Sequence, residues 1–111
     1  MKSNGLRIGL GTLLMDERCR KVDQIERMIA DFERAAGELE REIKTEQDRA
    51  GIHDPEHFAY PTYARAARQR RENIERSVRQ LNLKLAEAKA ALGAAVESKA
   101  VERIADEGRA A

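Results

Sequence analysis

Apolar residues recur along this chain at alternating steps of three and four, and the pattern is interrupted once, at residues 51–63. Before the interruption, Met15, Val22, Ile29, Ala36 and Ile43 occupy one position of a heptad, and Ile25, Phe32 and Leu39 occupy the other. Two apolar positions per seven residues make the narrow seam of a coiled coil, not the broader stripe of a globular helix. After the interruption the seam resumes as Ala64, Ala67, Ile74, Val78, Leu81, Leu85, Ala88, Leu92 and Ala95. Arg71 stands at a seam position where an aliphatic residue is expected. Past Ala95 the phase slips to Val96, Ala100 and Ile104, so the seam should loosen there.

These patterns predict a first helix over residues 12–50, a hinge at 51–61 and a second helix over 62–105. Residues 1–11 carry Gly5, Gly9 and Gly11. A glycine in a helix interior costs about 1 kcal/mol relative to alanine, so a flexible N-terminal segment is expected, in which Leu6, Ile8 and Leu10 could order on a partner. Thr12 is a candidate N-cap. Residues 106–111 are expected to be a frayed tail. The hinge holds both prolines, both histidines and both tyrosines. Pro55 and Pro61 lack a backbone N–H and push the preceding residue out of the α region. Gly51 suits the left-handed position that closes a helix. Asp54 before Pro55 reads as the cap of one short turn.

Two helices joined by a short connection form an antiparallel hairpin. The expected fold class is therefore all-α, with two long helices forming an antiparallel coiled-coil hairpin. One register faces Ile43 with Ile74, Leu39 with Val78, Ala36 with Leu81 and Phe32 with Leu85, so that large residues often meet small ones. It also sets Glu46 opposite Arg71, giving the two seam charges to each other. A register one heptad shorter sets Leu39 against Arg71, and the first is expected for that reason. Residues 16–50 carry eight basic and eleven acidic side chains, and residues 61–105 carry ten and five. The opposite signs favour the pairing, subject to screening by salt.

Composition narrows the function classes. The chain has 111 residues, 37% charged and 4% aromatic, with no tryptophan. That suits one domain of solvated helices better than a packed globular core. The net charge of +1 gives the whole chain no strong preference for nucleic acid or an acidic membrane. A lone Cys19 excludes a disulfide framework and points to a reduced, cytoplasmic setting. The apolar run near the start is too short and polar for export or for spanning a bilayer. There is no Gly-rich phosphate loop and no nucleophile elbow. His53 and His57 are separated by Asp54-Pro55 and read as hydrogen-bonding loop residues, not metal ligands. No enzyme activity, cofactor or metal is expected.

The most distinctive surface is the start of the second helix, with Arg65, Arg68, Arg70, Arg71, Arg76 and Arg79 following Tyr60 and Tyr63. The blandest reading is a solvated basic helix paired with an acidic one. A docking patch for an acidic protein surface comes next, then a nucleic-acid clasp of cations and aromatics. Phe58, Tyr60, Tyr63, Arg65, Arg68 and Arg71 are the candidate partner-binding residues.

The run from Gly51-Ile52-His53-Asp54-Pro55-Glu56-His57-Phe58 through Tyr60-Pro61-Thr62-Tyr63 to Arg70-Arg71-Glu72-Asn73 resembles the hinge of short alphaproteobacterial FliJ-like flagellar export proteins. The stretch Gln24-Ile25-Glu26-Arg27-Met28-Ile29-Ala30-Asp31-Phe32-Glu33-Arg34 is similar to that family's first helix. The resemblance implies a non-enzymatic coupling or escort factor of flagellar type III protein export. It implies a stalk-like hairpin that meets the hexameric export ATPase FliI and the export gate protein FlhA, with FliH and export chaperones as further partners. The implied location is cytoplasmic, at the export apparatus of the inner membrane, with no membrane insertion and no nucleic acid. The alternatives are a generic coiled-coil adaptor or homodimer, and a small nucleic-acid-binding helical hairpin.

Overall fold

A computed structural model shows an all-α chain of two long helices, α1 (Lys2–Ala50) and α2 (Thr62–Ala110), forming a helical hairpin. The structure describes the backbone of residues 2–110 and the side chains of residue 9 and residues 11–108. The expectation that Leu6, Ile8 and Leu10 order on a partner lies outside the described residues.

Helix α1 begins well before Thr12 and takes in the glycine-spotted segment expected to be flexible. Once a helix exists, adding a residue fixes one backbone unit for one hydrogen bond, and nucleation is not repeated. The glycines therefore weaken this end without stopping it. Thr12 is not a cap; its Oγ1 accepts from Lys99 Nζ at 3.3 Å. At the other end, α2 continues through the residues expected to be a frayed tail, as far as Ala110.

The connection is built from local hydrogen bonds. Gly51 has φ of 70°, and the N–H of Ile52 reaches back to the Gln47 carbonyl at 3.2 Å. That pair of features is a Schellman closure, which satisfies a carbonyl the helix end would leave bare. The Glu56 N–H donates to Asp54 Oδ1 at 2.9 Å, and the His57 N–H to the Asp54 carbonyl at 3.1 Å. Asp54 thus caps one turn, with Pro55 inside it. The Tyr60 N–H then donates to the His57 carbonyl at 3.0 Å, and the Arg65 N–H to the Pro61 carbonyl opens α2.

The chain divides into two compact units. The hinge unit is Arg27–Asn82; the terminal unit is Met1–Glu26 with Leu83–Ala111. In the hinge unit the buried residues are Ile29, Leu39, Ile43, Tyr60, Ala64, Ala67 and Leu81. In the terminal unit they are Val22, Ile25, Ala88 and Ala95. All but Tyr60 are seam positions of the heptad. No polar or charged residue is buried among those described.

The expected register is wrong by one heptad. Leu39 and Ile43 form a cluster with Ala67, and Ile74 packs against it. Tyr63 Oη donates to Glu42 Oε2 at 2.9 Å, and Gln47 Nε2 to Tyr60 Oη at 2.8 Å. The longer register would carry Glu42 more than two helical turns away from Tyr63. In the terminal unit the Arg18 guanidinium reaches the Ala91 carbonyl, and Lys99 reaches Thr12, which again fit only the shorter register. The pairing of Glu46 with Arg71 does not form. Glu46 instead accepts from Arg49 at 2.9 Å, one turn away on its own helix.

Candidate docking surface

The six candidate residues do not form one patch. Tyr60 is buried, with 4% of its surface exposed. Its ring closes the seam where the two helices meet the connection, and its hydroxyl is held by Gln47. The Arg65 guanidinium lies over the same ring, 5.6 Å from its centroid. Tyr60 is therefore a packing residue, and Arg65 covers it. Stacking a guanidinium on an aromatic face is worth about 0.5–1 kcal/mol at an exposed site.

Phe58 is the opposite case. It is 95% exposed, although it sits in a hydrogen-bonded turn. The His57 ring stacks beside it, with centroids 4.7 Å apart and planes at 21°. His57 Nδ1 accepts the Ala59 N–H at 3.0 Å, so the ring is oriented by the backbone two residues on. His53 Nε2 meets Asp48 Oδ1 at 2.9 Å. Both histidines thus serve the connection locally. Among the described residues no group of three His, Cys, Asp or Glu side chains could hold a metal ion.

Tyr63 and the two remaining arginines belong to two separate hollows of the hinge unit. One, of about 430 Å³, is lined by Glu38, Arg41, Glu42, Thr45, Glu46 and Tyr63. Its character is acidic, and the Tyr63 phenol is held above its ordinary pKa chiefly by its hydrogen bond to Glu42, then by that carboxylate's charge. The other, of about 480 Å³, brings Arg68 and Arg71 together with Arg41 and Lys44 of α1. Gly37, Glu40, Ile43 and Gln47 complete its lining. Four cations thus face one carboxylate.

Arg71 is the unusual member. It occupies the seam, and its Nε is buried without a hydrogen-bond partner. The nearest acid, Glu75, lies 3.6 Å from that Nε, too far for a hydrogen bond. Glu75 is half exposed, so the ion pair is weak. Arg68 and Arg71 are among the residues expected from the sequence; Arg41 and Lys44 are not. Their signal was the spacing Gly37, Glu40, Arg41, Lys44, one helical stripe that the shorter register brings level with Arg68 and Arg71.

Fold and surface together define a two-helix hairpin with one exposed aromatic in its connection and two hollows of opposite charge beside it. No helix among the described residues is long and apolar enough to cross a membrane. Compared with known proteins, the chain matches no family model, no curated protein and no solved structure.

Proposed function

We propose that this chain is an interaction protein, acting as a coupling or escort factor in flagellar type III protein export. Its product is a shape and a surface, and it carries no catalytic step. The observation behind the interaction reading is Phe58: a phenylalanine almost wholly exposed yet held in an ordered turn. Leaving that much apolar surface in water costs stability, roughly 25 cal/mol per Å². A partner that covers the ring recovers it. Aromatic side chains of this kind are the common anchors of protein interfaces.

The flagellar part rests on the likeness of residues 51–73 to the FliJ-like hinge, and the helical hairpin is compatible with a stalk-like role. On this reading the hairpin bridges the export ATPase FliI and the gate protein FlhA at the inner-membrane export apparatus. Co-purification of the tagged chain from the cells that make it tests the proposal. Recovery of FliI and FlhA, reduced by Phe58→Ala, is the expected result. Recovery of stable partners that include neither protein would overturn it.

A second reading, a coiled-coil adaptor or homodimer, is favoured by a different observation. Leu13, Leu14, Val101 and Ile104 of the terminal unit are all exposed. Sedimentation equilibrium of the purified chain separates the two: a concentration-dependent dimer supports self-association, and a monomer throughout excludes it.

A further inference from the structure

The basic hollow is the best-formed feature that the packing of the hairpin does not account for. Arg41, Lys44 and Arg68 form no ion pair within the described residues. Arg71 places a guanidinium Nε on the seam, shielded from water, with its hydrogen-bonding capacity unused. A buried donor left unsatisfied keeps its desolvation penalty with nothing to offset it. An aliphatic residue at the same seam position would avoid that cost and bury more apolar surface. The arginine thus costs the seam stability while adding a fourth cation to the hollow.

We propose that this hollow binds a carboxylate-rich segment of a partner protein, its acids answered by Arg41, Lys44, Arg68 and the part-exposed end of the Arg71 guanidinium. The inference rests on the interaction-protein reading above and not on the identity of the export machine. A planar carboxylate matches the two-donor edge of a guanidinium, and such charge-assisted pairs are the stronger hydrogen bonds of interfaces.

An acidic peptide fits better than a nucleic acid. A phosphate backbone carries charge at every nucleotide and needs a continuous basic track. Here the acidic hollow of Glu38, Glu42 and Glu46 lies on the same unit and shares Arg41 in its lining. A long polyanion following the surface would meet those carboxylates, whereas a short acidic segment seated on the four cations would not. The near-zero net charge of the whole chain points the same way.

The test uses the full chain and a fluorescein-labelled peptide, Ala-Glu-Glu-Leu-Glu-Ala, followed by fluorescence anisotropy. A peptide with Gln for each Glu and an oligothymidine of equal charge are the controls. Saturable, salt-sensitive binding of the acidic peptide alone is expected. Arg71→Leu should weaken it by about tenfold or more while raising the melting temperature, so the loss cannot come from unfolding. Arg68→Glu should weaken it too, whereas Arg79→Glu, outside the hollow, should leave it within about twofold. Three results overturn the proposal: no saturable binding of the peptide, equal binding of the oligothymidine, or equal losses from Arg79→Glu and Arg68→Glu. Peptide binding that persists when FliI and FlhA fail to co-purify would sink the export reading and spare this one.

Discussion

The hinge unit and the terminal unit are made of the same two helices and the same heptad, yet they use their apolar residues differently. In the hinge unit Leu39, Ile43 and Ala67 form a cluster, and Tyr60 seals the end of the seam. In the terminal unit half of the buried set is alanine, Ala88 and Ala95, while Leu13, Leu14, Leu83, Val96, Val101 and Ile104 remain exposed. Alanine buries little area, and area removed from water is what stabilises a seam. A regular pattern therefore specifies where helices touch, but the size of the side chains decides how firmly. The hinge unit should hold the hairpin together, and the terminal unit should be the part that opens first.

The comparison is tested most severely by deleting side chains. Ile43→Ala removes a residue that is only 4% exposed from the centre of the hinge cluster. It should cost about 3 kcal/mol. Ile104→Ala removes the same atoms from a side chain that is 68% exposed. It should change stability by less than about 0.5 kcal/mol. Chemical denaturation of both variants checks the pair, and equal losses would mean that the terminal unit draws as much stability from Ile104 as the hinge cluster draws from Ile43.

Hydrogen exchange gives the same contrast without mutation. Amides of seam residues near Ile43 and Leu81 should exchange slower than those near Met15 and Val96 by about tenfold or more. Uniform protection along both helices would break the comparison. A smaller effect is expected at the connection. Gly51 sits at φ of 70° with nothing within 4 Å of an added Cβ. Gly51→Ala should therefore cost about 1 kcal/mol from backbone strain alone, with no steric clash to add to it. Thermal melts monitored by circular dichroism read that loss.

Much of this arrangement was legible in the sequence, and the parts that were not share a cause. The seam positions follow from spacing alone, because the helix has a fixed period. Gly51 and Asp54 follow from turn chemistry, which is local. The register does not follow from spacing, since sliding one heptad preserves every seam. The expectation turned on Arg71, set against Glu46 in the longer register and Leu39 in the shorter, and a solvent-accessible ion pair contributes too little to decide it. The connection itself was the better guide. A hairpin register is centred on its loop, and the middle of residues 51–61 falls near Glu56, which favours the shorter pairing. With the register misjudged, Arg41 and Lys44 could not be seen to face Arg68 and Arg71, and the basic hollow stayed hidden. Tyr60 was misread for the same reason, because only the shorter pairing places Gln47 where it can hold the ring's hydroxyl.

The gentlest way to sharpen the picture is a titration of the acidic hollow. Tyr63 donates its phenolic proton to Glu42, and ionising the phenol would set two negative charges face to face. Its pKa in the folded chain is accordingly raised above the ordinary 10.0, first by that hydrogen bond and then by the carboxylate's charge. A group whose folded pKa exceeds its unfolded one contributes stability that is fully present below the unfolded value and lost as pH climbs through the folded one. The melting temperature should therefore fall more steeply above about pH 10 in the native chain than in Tyr63→Phe, which has no proton to lose. The side chain is 54% exposed, so the difference should be small and should shrink as salt is added. Parallel pH profiles for the two chains would show that the Tyr63–Glu42 bond contributes nothing to holding α1 against α2, and would leave the apolar cluster as the whole of the hinge unit's advantage.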